Sequence, residues 1–388
     1  MSTSSVASLR LPRLAVVAWT VAVAVIAGLV AAVAHYLSES NSGHSAHAMH
    51  GMQMTPAEAF TRGTGLPAGH LLGSRLLTAW QLDSVAVAVL VLAAALYVTG
   101  IALLPRRSPD MVWPVRRTVA FFAGLAVVGF ATCGSVAVYD QVLFTAHMGG
   151  HLALVMVAPA LLVAGHPLSL ALAAAPGPRR GRLERIAQGR VVSLLTTPPV
   201  ALACYAAVIV GSHLTGVMDE VMRRTWAGQV EHLVYLLAGI QFFVLVVGSE
   251  PIRWRLGTPA RWLLLAIAMA VDTFTGVVLL QGTHAVAMRV DPTLPVDALS
   301  DTRTGGAIMW FGGDAIMAAV MIALVVGWLR NVDTEKAEAK GWLEQARVAT
   351  FAAHTGSDSA DTDVQTFDDD DAARQSYNEW LAQLDKRR

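Results

Sequence analysis

An all-α, polytopic membrane helix bundle is predicted by three features of this 388-residue chain. Hydrophobic residues make up 55% of it and charged residues only 14%, where soluble domains carry roughly 25% charged. Mean hydropathy is +0.53. Apolar runs recur along most of the chain at about 18 residues or more, long enough to cross a bilayer as helices.

The same composition narrows function. Formal net charge is +0, so no overall field favours nucleic acid, and none is expected as a partner. Cys133 and Cys204 lie inside apolar runs and form no CxxC pair, which argues against a disulfide framework or a thiolate metal site. Histidine and methionine are then the soft donors on offer.

Eight spans are predicted, at about 14–34, 82–104, 118–138, 147–172, 195–213, 228–248, 262–283 and 305–329. Arg10 and Arg13 precede the first, and Ala32-Val33-Ala34 resembles a cleavage site. Its apolar run exceeds the roughly 7–15 residues of a signal-peptide core, so it reads as a retained anchor. The chain thus divides into a first span (1–34), an outer His/Met-rich loop (35–80), a seven-helix membrane domain (81–330) and a polar tail (331–388). With the N-terminus inside, the short inner segments hold fourteen arginines and the outer ones six. The positive-inside rule therefore places both termini in the cytoplasm.

That topology sorts the histidines. His147 and His151 open span four, His213 closes span five, His232 opens span six and His284 closes span seven, all at the outer face. His147 and His151 stand about 40° apart on one helical face, and Met148 about 60° from His151. Two imidazoles and a thioether suit Cu(I) and tolerate Cu(II). The rival reading is a pair of interfacial histidines facing headgroups or capping the span. Met156, about 180° from His147, falls outside such a site. His213 and His232, joined by a short outer loop, complete a site if their helices neighbour span four, with Glu231 as an acceptor orienting an imidazole; otherwise they too are interfacial. His284 and Met288 share a face only if the helix continues past Gly282, and Asp291-Pro292 argues that it soon ends.

The first loop sets His44, His47, Met49, His50, Met52 and Met54 among Ser, Ala and Gly, which cannot build a core. Such a tract resembles copper-collecting segments, many tethered donors raising capture through effective concentration; the rival reading is a disordered loop of accidental composition, and a His-rich tract also binds Zn(II) and Ni(II). Asp272 and Asp314 lie near mid-span, where a carboxylate is costly and faces the bundle interior. They read either as a proton or cation path, with Thr275 and Thr283 near Asp272, or as buried carboxyls bonded to a hydroxyl or amide. Asp301 reads as the cap of span eight or as a neighbour of the metal cluster. Gly149-Gly150, Gly305-Gly306 and Gly312-Gly313 read as close helix crossings. The tail, with its acidic run Asp368–Asp371, carries no catalytic signature.

One combination of motifs resembles a known family. His147-Met148, His151-Leu152, Ala158-Pro159, Leu161-Leu162, Gly165 and Pro167 resemble the first element of the CtaG-like cytochrome c oxidase assembly factors. His213 before a loop with Asp219, then Glu231-His232-Leu233, follow in the family's order. Asp301 with Gly305-Gly306 and Met309-Trp310 resembles its last element, although Thr302 stands where the family has glutamine. The resemblance covers roughly residues 80–330. It implies a non-enzymatic factor in a bacterial plasma membrane that assembles a haem–copper oxidase at its copper step, with oxidase subunits and the lipid bilayer as partners. Two rival classes remain: a copper or proton transporter working through Asp272 and Asp314, and a di-histidine haem protein.

Overall fold

The computed structural model describes residues 79–218, 221, 225–248, 250–286 and 297–330, with isolated positions 375, 378, 379 and 382 in the tail. The predicted first span, the His/Met loop and nearly all of the tail lie outside these residues. All regular structure among the described residues is helical. The chain divides into two units, Met1–Met321 and Ile322–Arg388. The second is helical over 322–330, and the first holds the helices that build the bundle.

Helix α1 (Ser84–Arg107) starts at Asp83, whose carboxylate accepts from the Val85 and Ala86 amides at 2.9 and 3.0 Å. Arg106 and Arg107 close its last turn, where cations oppose the helix dipole. Helix α2 (Val115–Cys133) runs back and continues past Gly134 as α3 (Ser135–Tyr139).

The central span, Phe144–Ala174, is not one regular helix. It comprises α4 (Phe144–Leu152), a π-helical turn (Ala153–Val157), α5 (Ala158–Ala164) and, beyond a break, α6 (Pro167–Ala174). Pro159 has no N–H to give to the ladder, and the π turn absorbs that loss. The uniform step that set Met156 opposite His147 therefore fails across this turn. At the second break His166 adopts a left-handed φ of 55° before Pro167.

Helices α7 (Gly177–Ala187) and α8 (Arg190–Leu195) lead into α9 (Pro198–His213). Helices α10 (Thr225–Val247), α11 (Thr258–Leu280) and α12 (Ala298–Ala307) come next; α12 continues through a π turn (Ile308–Gly312).

Six helices among the described residues are long and apolar enough to span a membrane: Ser84–Arg107, Val115–Tyr139, Phe144–Ala174, Trp226–Val247, Thr258–Leu280 and Ala298–Arg330. A seventh exists if Gly177–Leu195 and Pro198–His213, bent by 61°, form one span. These correspond to six, or seven with the bent pair, of the eight predicted spans; the first, 14–34, lies outside the described residues, so the count of eight is not confirmed. The predicted fifth span, 195–213, corresponds to α9, which starts at Pro198 because Pro198-Pro199 cannot continue the preceding helix; its 16 residues reach membrane length only together with the bent segment before it. Span eight begins at Ala298, seven residues earlier than predicted, because Asp297 caps it through the Ser300 amide at 2.9 Å.

The central span packs against α2 on one side and α10 on another, and α9 lies against α10 and α11. Two crossings require glycine. A Cβ on Gly239 of α10 would overlap the Val155 carbonyl and Pro159. Gly276 and Gly306 face each other so closely that a Cβ on either would sit 2.9 Å from the other's carbonyl oxygen. Gly149 is different, since a Cβ there meets nothing within 4 Å. Its predicted role at a close crossing is not borne out.

The restart at α6 is capped from another part of the chain. Glu250 accepts from the Leu168 and Ser169 amides at 3.0 and 2.9 Å and from the Ser169 hydroxyl at 2.6 Å. Burial pushes the Glu250 carboxyl above its usual range, against these hydrogen bonds.

Gly239→Val is expected to destabilise the bundle by about 1–3 kcal/mol through overpacking. Thermal unfolding in detergent should show a lower midpoint for Gly239→Val and an unchanged or higher one for Gly149→Ala.

Candidate functional site

The central span begins with a carboxylate borrowed from α12. Phe144 and Thr145 present the first orphan amides of α4, and Asp301 accepts from both, at 2.6 and 3.3 Å, and from the Thr145 hydroxyl. Asp301 therefore caps the histidine-bearing helix and not its own. Four residues on, Gly305 leaves room for the Phe144 ring, which a Cβ there would overlap.

One turn into this capped helix stands His147, with His151 a turn further. They are 1% and 2% exposed, so they point into the bundle and not at headgroups. His213, at the end of α9, joins them. Its ring centroid lies 4.6 Å from that of His151 and 6.2 Å from that of His147. Tyr235 of α10 stands edge-on to His151 at 4.2 Å.

Two of these imidazoles are oriented from behind. His147 Nδ1 lies 2.8 Å from Asp140 Oδ1; an ionised carboxylate only accepts, so Nδ1–H donates. His213 Nδ1 lies 2.8 Å from the Ile209 carbonyl, which fixes its tautomer the same way. The Nε2 atoms of both rings are left buried without a hydrogen-bond partner, and a ring in its neutral form has its lone pair there. Asp140 also lies 3.7 Å from His232 Nε2. Burial opposes ionisation of Asp140, but His147 and His232 hold its carboxyl well below the usual range.

The inner face of the cluster is short of partners. His147 Nε2, both nitrogens of His151, His213 Nε2 and Glu231 Oε2 are buried without hydrogen bonds. Glu231 Oε1 accepts from the Tyr235 hydroxyl at 2.6 Å and stands 4.0 Å from His147 Nε2, too far for a hydrogen bond. Buried unpartnered polar groups are rare, and each costs roughly 1–3 kcal/mol, so four imidazole nitrogens and one carboxylate oxygen in one place call for a ligand.

The remaining predicted residues scatter. Met148 is fully buried and packs against Gly305. His284 is exposed beyond the end of α11 at Leu280, so no helix carries a pairing with Met288, which lies outside the described residues. So do His44, His47, Met49, His50, Met52, Met54 and Asp219. Asp272 is fully buried; its Oδ2 accepts from the Tyr205 hydroxyl at 2.9 Å while Oδ1 has no partner. Asp314 accepts from Thr273 at 3.0 Å. Thr275 bonds the Val271 carbonyl and not Asp272. Thr302, where the family pattern has glutamine, donates to the Ala298 carbonyl and accepts from the Val286 amide. Among the described residues no group of three or more His, Cys, Asp or Glu stands at metal-holding geometry without movement.

Sequence reading missed Asp140. Its signal was there: it is the single acidic residue between Asp110 and Glu184, directly after a predicted span.

The description "cytochrome c oxidase caa3 assembly factor" belongs to the family model that matches residues 95–331. Uncharacterised proteins Mb0105 of Mycobacterium bovis and MT0111 of Mycobacterium tuberculosis are each 29% identical over 327 residues, covering 81% of this chain and 46% of their own length. Uncharacterised protein ML1998 of Mycobacterium leprae is 29% identical over 269 residues, covering 66% of this chain and 40% of its own length. The chain thus spans less than half the length of these curated relatives. No solved structure matches.

Replacing Asp301 by Ala strips the α4 cap and should destabilise the fold by about 0.5–2 kcal/mol. Asp297→Ala, which uncaps only α12, is expected to leave α4 intact. Hydrogen exchange at the Phe144 and Thr145 amides should accelerate in the first variant and not in the second.

Proposed function

The chain belongs to the cytochrome c oxidase caa3 assembly factor family, and from that premise we propose that it holds copper in a buried histidine cluster and hands it to a cytochrome c oxidase. The observation that carries this reading is the convergence of His147, His151 and His213, whose ring centroids lie within 6.2 Å of one another along this chain of contacts and which carry buried nitrogens without hydrogen bonds. Copper is cargo in this reading, so no bond-making catalysis is required of the protein.

The donors suit the ion. Imidazoles at about 2.0–2.1 Å from one metal place ring centroids within about 6.5 Å, which the observed 4.6 and 6.2 Å satisfy. Small ring rotations supply the rest of the coordination geometry. Asp140 and the Ile209 carbonyl hold Nδ1–H of two rings, the outer hydrogen bonding that keeps a ligating nitrogen aimed. Glu231 offers a carboxylate oxygen beside His147. The absence of any thiolate favours exchange over permanent storage, because imidazole and thioether donors release Cu(I) to a competing ligand set more readily than thiolates do.

His232, 20% exposed and 3.7 Å from Asp140, is the more accessible histidine beside the cluster and in this reading the first to meet an incoming ion. The His/Met residues from His44 to Met54 supply the collecting step. The arginine distribution, with Arg106, Arg107, Arg116 and Arg117 between the first two described spans, supports an outer-face position for the cluster. The hydrogen-bonded environments of Asp272 and Asp314 favour buried structural carboxyls over a transport path.

Purified protein loaded with Cu(I) should retain copper at a stoichiometry that falls in the His147→Ala/His151→Ala double variant. Asp140→Ala, which removes the acceptor at His147 Nδ1 without removing an imidazole, should weaken affinity by about 10–100-fold. Unchanged stoichiometry in the double variant overturns the site. In cells, a deletion strain should lose oxidase activity and regain part of it with added copper.

A further inference from the structure

The connection between α10 and α11 is tied to the bundle at three points. Glu250 accepts from the Leu168 and Ser169 amides where the central span restarts. Trp254 donates its indole N–H to the Ser193 carbonyl of α8 at 2.8 Å. Arg261, in the first turn of α11, turns its guanidinium onto backbone carbonyls, with Nε donating to Leu256 at 2.8 Å and Nη1 to Val247 at 3.3 Å. Gly248, at a left-handed φ of 64°, makes room for that guanidinium, since a Cβ there would sit 2.4 Å from its Cζ. A turn held this way fixes where its remaining side chains leave the backbone.

Two of those side chains are cations. Arg253 and Arg255, on either side of Trp254, take part in none of these ties and are exposed. Together with Gln188, the C-cap of α7, and with Pro251 and Ile252, they line a cleft of about 400 Å³. The cleft thus brings two guanidinium forks and an amide from two separate elements to one place. Its level in the membrane follows from the chain. The membrane-length helices α10 and α11 end at Val247 and begin at Thr258, so the connection lies among lipid headgroups whichever way the protein faces. A tryptophan suits that level. Beside it, Ile186 on α7 and Val191 and Leu194 on α8 are 57–71% exposed among Arg182, Arg185 and Arg190, the mixture found in segments lying in the interface.

The chemistry of the cleft selects the head of its occupant. A guanidinium fork matches the paired oxygens of a phosphodiester, and basic pockets at the ends of membrane spans attract anionic lipid. Two guanidinia also repel the ammonium group of a choline head, so a head with net negative charge is preferred. We propose that the cleft binds an anionic phospholipid, its phosphodiester held by Arg253 and Arg255, its polar head against Gln188 and its acyl chains along Ile186, Val191 and Leu194. The assignment is independent of copper and shares no residue with the histidine cluster.

The test is native mass spectrometry of the full chain in detergent, titrated with dioleoylphosphatidylglycerol. Binding should saturate at one lipid per chain, and dioleoylphosphatidylcholine should bind more weakly. Arg253→Gln/Arg255→Gln should weaken phosphatidylglycerol binding by about tenfold or more. Its thermal midpoint in lipid-free detergent should match the wild type, since both side chains are exposed. Gln188→Glu, which sets a carboxylate in the cleft from the other element, should weaken binding as well. Arg179→Gln/Arg182→Gln removes the same charge from α7 outside the cleft and should bind like the wild type. The assignment is overturned if that control loses as much affinity as the cleft variant, because the attraction then belongs to the basic surface as a whole. It is overturned too if Arg253→Gln/Arg255→Gln or Gln188→Glu binds like the wild type, or if phosphatidylcholine binds as tightly as phosphatidylglycerol. Equal binding of glycerophosphoglycerol, the head without its chains, also overturns it, since the occupant is then a soluble phosphate ester.

Discussion

The structure depends on satisfying the backbone amides of one interrupted helix inside a membrane. Phe144–Ala174 starts twice, at Phe144 and again at Pro167. Each start exposes N–H groups that lipid cannot satisfy. Neither start brings its own side-chain cap. The partners come instead from Asp301, 157 residues away from Phe144, and from Glu250, 81 residues away from Ser169. A carboxylate suits both positions, because it accepts from two amides at once and complements the positive end of the helix dipole. The span carrying Asp301 and the connection carrying Glu250, between α10 and α11, must therefore pack where the central span begins and begins again. The order of the bundle comes from that requirement more than from apolar surfaces, which all resemble one another in lipid.

The histidine cluster inherits its position from the first of these caps. His147 lies one turn beyond the amides held by Asp301, so its ring direction is fixed with the helix start. Asp140 then holds the ring from the loop just before the helix. Both acids act on the same short segment. The Asp301–Gly305 spacing does two jobs there, since the acid caps α4 and the glycine one turn later admits the Phe144 ring. This explains in packing terms why the first and last motifs of the family resemblance occur together: they touch.

Much of this was legible in the sequence. Six of the eight predicted spans were found as membrane-length helices because long apolar runs report directly on the solvent. The gathering of His147, His151, His213 and His232 at one end came from counting arginines and alternating the spans. What the sequence concealed was pairing between distant elements. Asp301 looks like a local cap because its neighbours Gly305 and Gly306 open an apolar run; only the fold shows that Asp297 holds that post. Met148 shares a helical face with His151 in projection, yet it packs on Gly305, because projection says nothing of which neighbour occupies which side. Asp140 carries no motif at all. The break at Pro198-Pro199 was visible in the residues but weighed less than the hydropathy around it.

Glu231 links the cluster to the rest of the bundle's end. One oxygen is tied to Tyr235, whose ring also packs against His151, and the other is free. The residue therefore ties Tyr235 to the buried histidines, with Oε1 4.0 Å from His147 Nε2. An ionised carboxylate at that distance would favour a cation among the imidazoles, so in the proposed function Glu231 adds to the hold on copper without a thiolate. Imidazoles with one carboxylate beside them would hold such an ion less firmly than thiolates and so suit its release.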